Sequence, residues 1–204
     1  MTRGANGAAT KEAIRQAAIT EFRLHGYRSA SLEGIASGLG ITRAAVLHHY
    51  DTKADLLDAV LDPYLTAVEA ALGRCDPAGT LTPRQRRGLL GDITDVFVAH
   101  HDVAGILIRD ISSHTDPATV IRMTAITETI TVLMTRPCPT PIDRVIVGAI
   151  LGAILRPLTD PGLDPADPRT RAVLTTIAAT IARQIEPSRA VRPKGDLELV
   201  DAGR

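Results

Sequence analysis

The stretch SLEGIASGLGITRAAVLHHYDTK, residues 31–53, decides the fold of the N-terminal part of this chain. Its first half places apolar side chains at helical spacing, at Leu32, Ile35, Ala36 and Leu39. Gly38 and Gly40 lie on either side of Leu39, and glycine at this point permits the left-handed backbone that ends a helix. Thr42 can cap a second helix by accepting a hydrogen bond from a backbone N–H in its first turn.

A helix, a short glycine turn and a second helix are the pattern of the helix-turn-helix motif, whose second helix lies in the major groove of DNA. The same spacing is also compatible with an ordinary helical hairpin inside a bundle. The surrounding chain therefore has to decide between the two interpretations.

A further helix precedes the motif. Thr10 is a candidate cap for a helix over residues 11–25, and Gly26 is placed to end it. Its inner face carries Phe22, which we predict to fill the centre of a three-helix head formed by residues 1–53. This head contains seven Lys/Arg and four Asp/Glu, a net charge of +3, and the remaining 16 basic and 19 acidic residues give −3. Basic charge concentrated at one end is typical of a protein that touches DNA there.

Beyond the head, the sequence predicts a helical body over residues 54–186. Thr52 can cap a helix whose apolar stripe keeps its phase to Leu72, so we expect one helix, kinked at Pro63. Four later starts pair a capping residue with proline at the first helical position, at Thr82-Pro83, Asp116-Pro117, Thr140-Pro141 and Asp167-Pro168. They predict helices over 84–100, 117–135, 141–157 and 168–185, with a shorter one over 103–112.

Period-2 alternation is not sustained anywhere, so the fold class is all-α with about nine helices. Apolar periodicity fades after Pro187, and residues 187–204 are expected to form a disordered tail. The helix over 141–157 is apolar nearly all round, with Gly148 and Gly152 one turn apart. It is either a central core helix or one that faces a second copy of the chain, and we predict homodimerisation through it and the helix over 168–185.

Composition limits the other function classes. The longest apolar run, residues 145–155, is too short to cross a bilayer, and no membrane partner is expected. Cys75 and Cys138 lie far apart without metal-ligand spacing, which predicts a reducing, cytoplasmic location and no metal. No nucleophile–base arrangement or glycine-rich phosphate loop is present. We therefore expect no enzyme, no catalytic residue and no cofactor.

The order IRQAAITEFRLHGY, SLEGIASGLGITRAAVLHHY and DTKADLLDAVL, over about the first 61 residues, resembles the TetR family of bacterial transcriptional repressors. The resemblance implies a homodimer that binds a palindromic operator in double-stranded DNA. It further implies that a small-molecule effector, whose identity the sequence does not give, enters the body and releases the DNA.

On this resemblance the recognition helix covers residues 42–50, and the candidate DNA contacts are Ser31, Thr42, Arg43, Ala44, Ala45, Leu47, His48, His49 and Lys53. Arg43 either reads a guanine or neutralises a phosphate. Lys53 matches the family's phosphate-binding lysine. Leu47 departs from the family, which commonly has a tyrosine there that contacts the DNA backbone, and it is placed to contact a sugar or a thymine methyl instead.

The effector pocket is expected among the body helices, and the candidate lining residues are Phe97, Ile106, Arg109, Asp110, Met123, Ile126, Thr127, Met134 and Leu151. Two alternatives come from other classes. A helical adaptor that dimerises without binding DNA would share the body pattern. A metal-dependent phosphohydrolase would use the pair His101-Asp102 with neighbouring groups, namely His100, Asp110, His114 and Asp116.

Overall fold

A computed structural model describes residues 3–76, 81–110, 116–135 and 138–185, except for the side chains of residues 3–6, 104–105 and 108–110. Nine α-helices run through this described part, and none of its residues lies in a strand, as the all-α prediction requires. The predicted tail, residues 187–204, lies outside the described residues.

Three helices form the head: α1 (Arg3–Ser29), α2 (Leu32–Gly38) and α3 (Arg43–Leu47). The prediction that Thr10 caps α1 is wrong, because the alanine-rich segment before it is already helical from Arg3. Gly26 interrupts α1 as expected, with φ of 74° and ψ of 156°, and a last helical turn follows it. Phe22 is 1% exposed and contacts the Tyr27 ring edge-on at 5.3 Å between centroids, so it fills the centre of the head.

The predicted turn chemistry is confirmed in α2. The Ser31 hydroxyl accepts a hydrogen bond from the Gly34 N–H at 2.9 Å and caps the start of the helix. At its end, Gly40 has φ of 65° and its N–H donates to Ser37 O, while the Ile41 N–H donates to Ala36 O. This pair of bonds is a Schellman motif, which needs the left-handed residue that glycine supplies.

The second motif helix is shorter than predicted. Thr42 caps it, accepting from the Ala45 N–H at 3.1 Å, but α3 ends at Leu47 and not at Tyr50. His48 closes the helix through its own N–H, and the chain turns so that Tyr50, 6% exposed, packs into the head. Burial of this large ring competes with the continuation of the helix.

The body contains six helices, which are α4 (Lys53–Leu72), α5 (Pro83–Ala99), α6 (His101–Asp110), α7 (Pro117–Met134), α8 (Pro141–Leu155) and α9 (Pro168–Ala182). A 3-10 turn, Pro157–Thr159, follows α8. All four predicted proline starts are confirmed at the first turn of their helices. The long helix is also confirmed as a single element, with Pro63 inside α4.

The buried side chains form one continuous core from Ile14 in the head to Ile185 at the end of the body. Helix α4 leaves the head and packs against α1, α5 and α7, whereas α1 also packs on α6. An ion pair between Arg23 and Asp102 joins the end of α1 to the start of α6. The head and body are therefore connected both through α4 and across this contact.

Helices α8 and α9 pack together along one side of the body. Val147, Ile150 and Ile154 of α8 are buried, but Ile142 and Val145 are 67% and 69% exposed. Thus α8 is not a central core helix, since only one of its faces is covered. Within the described residues, no helix is both long and apolar enough to cross a membrane.

Candidate nucleic-acid interface

The first turn of α3 projects from the head. Thr42, Arg43 and Ala44 are exposed, whereas Val46 on the opposite side of the helix is fully buried and fixes it to the head. Arg43 is thus presented on a short helix of fixed orientation, and Ala44 beside it adds little bulk. This is the geometry in which the start of a recognition helix approaches base edges.

Arg43 is held only weakly in the free protein. Its Nε lies 3.1 Å from Glu33 Oε1, and the two side chains are 57% and 65% exposed. Ion pairs this exposed contribute little to stability because water screens them. The guanidinium can therefore leave Glu33 for a base or a phosphate at small cost.

Two histidines follow α3 and differ in exposure, since His48 is exposed and His49 is half-buried. Their rings contact each other edge to face, 5.4 Å between centroids. Leu47 is half-buried and packs partly on the head core. His48 is therefore the member of this trio with the freest approach to a phosphate, and Leu47 has only part of its surface left for DNA.

Ser31, which was predicted to contact a phosphate, already makes polar contacts within the protein. Its hydroxyl caps α2, and its own N–H points to Glu21 Oε1 at 3.4 Å. The Glu21 carboxylate already lies at the start of α2, where a phosphate would have to approach. No local pattern predicted this contact, because the two residues are ten positions apart.

Lys53 also has protein partners. Its ammonium donates to the carbonyl oxygens of Tyr27 at 2.8 Å, Ala30 at 3.0 Å and Arg28 at 3.3 Å. It thereby holds the segment between α1 and α2 against the start of α4. The residue assigned to a phosphate is thus placed at the head surface with its charge directed at backbone carbonyls.

A cavity of about 190 Å³ lies among the body helices and is lined by residues of α4, α5, α7 and α8, with Leu107 from α6. Five predicted residues line it, namely Phe97, Met123, Ile126, Thr127 and Leu151. Ile106 and Met134 do not line it, and they lie in the core at 4% and 0% exposure. The side chains of Arg109 and Asp110 lie outside the described residues. Sequence reasoning missed the contribution of α4, which is Tyr64, Leu65 and Val68.

The residues of the phosphohydrolase alternative have other partners in the structure. His101 Nδ1 lies 3.1 Å from Val98 O, Asp102 pairs with Arg23, and the His100 ring stacks edge-on against Tyr64. Across the described ranges, no three potential metal ligands converge. Asp116 precedes α7 without a side-chain capping bond, and His114 and the Asp110 side chain lie outside the described residues.

Comparison with known proteins matches the head to a family model. The model for bacterial regulatory proteins of the tetR family matches residues 14–60, from the middle of α1 into α4. Comparison with curated protein sequences finds no match.

Solved structures share the whole fold at low sequence identity. The ketosteroid transcriptional regulator KstR2 of Mycobacterium tuberculosis is 18% identical, with a TM-score of 0.68 over 86% of this chain and 94% of that one. A tetR family regulatory protein from Rhodococcus RHA1 is 21% identical, with a TM-score of 0.67 over 86% of this chain and 96% of that one. PfmR, a TetR family regulator from Thermus thermophilus, is 21% identical, with a TM-score of 0.62 over 85% of this chain and 98% of that one. Residues 14–60 are thus a helix-turn-helix head of the tetR family type, and the chain shares the fold of solved TetR family transcriptional regulators.

Proposed function

We propose that this protein is a repressor that binds a palindromic operator as a homodimer and releases it when a small molecule enters the body. Residues 1–53 would form the DNA-binding domain, and residues 54–186 the effector and dimerisation domain. The observation that carries the proposal is the first turn of α3, where Arg43 is exposed while Val46 anchors the helix to the head.

The exposed faces of α8 and α9 support the dimer. Val145 on α8 is 69% exposed, and Val173 and Ile177 on α9 are 56% and 40% exposed. Gly148 and Gly152 have open space where a Cβ would stand, so a second backbone could approach them closely. If α8 and α9 of one protomer pack against α8 and α9 of a second protomer, this exposed apolar surface is buried symmetrically. Two heads held in this way can read half-sites about one helical turn of DNA apart.

The cavity chemistry limits the effector. Its described lining is apolar apart from the hydroxyl groups of Tyr64 and Thr127, and it contains no charged side chain. The Thr127 hydroxyl already donates to Met123 O at 3.0 Å, and burial raises the pKa of Tyr64, which stays a neutral phenol. An effector that fits is therefore small, uncharged and mainly apolar.

DNA fragments selected from genomic DNA by the purified full-length protein test the proposal. The selected fragments should share a palindrome, and their affinity should fall steeply between two salt concentrations, because bound Lys and Arg release counterions. Arg43→Ala should weaken the selection, whereas Arg84→Ala, which changes an exposed arginine of the body, should not. Failure to bind DNA at either salt concentration would favour the adaptor alternative and refute the proposal.

The dimer is tested separately by sedimentation. Val145→Glu places a charge on the exposed apolar face of α8 and should give monomers. Leu24→Glu is the matched control, since Leu24 is also 67% exposed but lies in the head. A wild-type protein that sediments as a monomer at micromolar concentration would contradict the proposed dimer.

A further inference from the structure

A second recess lies at the end of the body, between the start of α5 and the end of α9. Its volume is about 470 Å³, and it shares no lining residue with the cavity among α4, α5, α7 and α8 within the described part of the chain. Its apolar wall consists of Leu81, Pro83, Leu90, Ala179, Ala182 and Ile185. Three arginines complete the lining, Arg86 and Arg87 from α5 and Arg183 directly after the last residue of α9.

The three guanidiniums have no acidic neighbour among the described lining residues. Arg86 is half-buried, and its Nε is buried without a hydrogen-bond partner in the described structure. Burial alone lowers the pKa of Arg86. Arg183 donates from Nη2 to the Thr180 hydroxyl at 3.0 Å, a bond that leaves its other donors available.

Such an arrangement is unfavourable when it is empty. A buried N–H donor without an acceptor loses its bond to water and gains none in return. Like charges on two helices also repel each other where they converge. An anion between them removes both penalties, and a carboxylate matches the planar geometry of guanidinium donors.

We propose that this recess is a binding site for a small aliphatic carboxylate, whose charged end lies against Arg86 and Arg183 and whose chain covers Leu90 and Ile185. The site goes beyond the proposed repressor function and does not depend on DNA binding. It differs chemically from the uncharged cavity of the body, so one protein would accept two classes of small molecule.

Titration calorimetry of the full-length protein with decanoate, below its micellar concentration, tests the site. Decanoate should bind one equivalent per chain. Arg86→Gln should weaken binding by roughly tenfold or more, because charge-assisted bonds are lost. Arg84→Gln is the matched control: Arg84 lies on the same turn of α5 but does not line the recess, so this variant should bind as the wild type does.

Two further variants exclude misfolding and binding in the other cavity as explanations of the result. Ala182→Trp fills the recess from its rim and should abolish binding while circular dichroism stays unchanged. Met123→Trp fills the other cavity and should leave decanoate binding intact. Decanol, which has the chain without the charge, and acetate, which has the charge without the chain, should each bind much more weakly.

Several results would overturn the proposal. These are no decanoate binding, binding abolished by Met123→Trp but not by Ala182→Trp, or equal affinity for decanol or acetate. Binding that appears only after neutralisation of the acidic residues Asp196, Glu198 and Asp201 would also overturn it. In that case the chain's own C-terminal segment, and not a small molecule, would be the occupant.

Discussion

The Lys53 ammonium lies 2.8 Å from the carbonyl oxygen of Tyr27 and 4.5 Å from the centroid of its ring. The first residue of α4 is thus fixed to the backbone just after the Gly26 break in α1. The ammonium neutralises carbonyl dipoles that α1 leaves without intrahelical partners, and it lies over an aromatic face that favours a cation. This side chain stabilises the head whether or not it also reaches DNA.

Lys53→Met should therefore destabilise the protein. The loss of several bonds from a charged donor predicts a decrease of about 1–3 kcal/mol in the free energy of unfolding, measured by urea denaturation. The control is Lys11→Met, whose ammonium lies 5.3 Å from the Tyr50 ring and makes the weaker contact. If Lys53→Met weakens DNA binding but leaves the denaturation midpoint unchanged, the lysine serves the phosphate alone.

Two glycines of the motif should respond to alanine with opposite signs. Gly40 has φ of 65°, so Gly40→Ala should cost about 1 kcal/mol, because an L side chain strains this backbone. Gly38 is helical, and a Cβ there would meet nothing within 4 Å, so Gly38→Ala should stabilise by about 0.5–1 kcal/mol. Thermal denaturation of both variants measures the difference, and shifts of the same sign would contradict the structure.

Arg43→Ala should reduce sequence discrimination more than it reduces affinity for random DNA. A bidentate contact to guanine contributes roughly 1–3 kcal/mol of discrimination, whereas one phosphate contact weakens all sequences alike. Glu33→Gln, which removes the partner of Arg43, should raise the affinity for both DNAs, because a negative charge leaves the interface. Competition binding with operator and random duplexes measures both effects. An equal loss on the two DNAs would assign Arg43 to a phosphate.

The pH dependence of stability should include a contribution from Glu69. Arg122 donates to both carboxylate oxygens of Glu69, at 2.6 and 2.7 Å, and these bonds lower the pKa of Glu69 from its ordinary value of 4.5. Stability from this group is therefore present above pH 4.5 and is lost as the pH falls through the lowered value. Wild type should melt about 1–3 °C above Glu69→Gln near neutral pH, and the gap should close in acid.

A matched control for this prediction is Asp116→Asn, since the Asp116 side chain makes no capping bond. In the Asp116→Asn background, the effect of Glu69→Gln on the melting temperature should keep the same acid profile as in the wild type. A gap for Glu69→Gln that persists unchanged at low pH would show that the pair with Arg122 adds nothing through charge.

The helices could be predicted where local chemistry defines them. Thr82 and Thr140 accept from the N–H groups of Gln85 and Asp143, and proline follows each threonine, so both starts are specified within four residues. The end of α2 is likewise specified by Gly40. The start of α1 could not be predicted in this way, since Thr10 has the chemistry of a cap but the residues before it are already helical.

The candidate site was less accessible to sequence reasoning, because its contacts join distant parts of the chain. The partners of Lys53 are more than twenty positions away, and they are backbone carbonyls, which no residue type reveals. Part of the cavity lining was predicted on α5, α7 and α8, but the helix that became α4 was assigned only an apolar stripe, without a role in the cavity. Which face of α4 meets α7 depends on packing, and the pairing of Arg122 with Glu69 helps to fix it.

Pro63 has a mechanical consequence for this molecule. It lacks the N–H that would bond to the Ala59 carbonyl, so α4 is most easily bent just before Tyr64, where the cavity begins. The ten residues from Lys53 to Asp62 span about 15 Å, and a change of about 5° in their direction moves Lys53 by about 1 Å. In the proposed dimer, a molecule bound in the cavity would therefore change the separation of the two heads by repacking against one side chain, and neither head would have to unfold. The effect of such a molecule on DNA affinity would be limited by the difference between its affinities for the two conformations of α4.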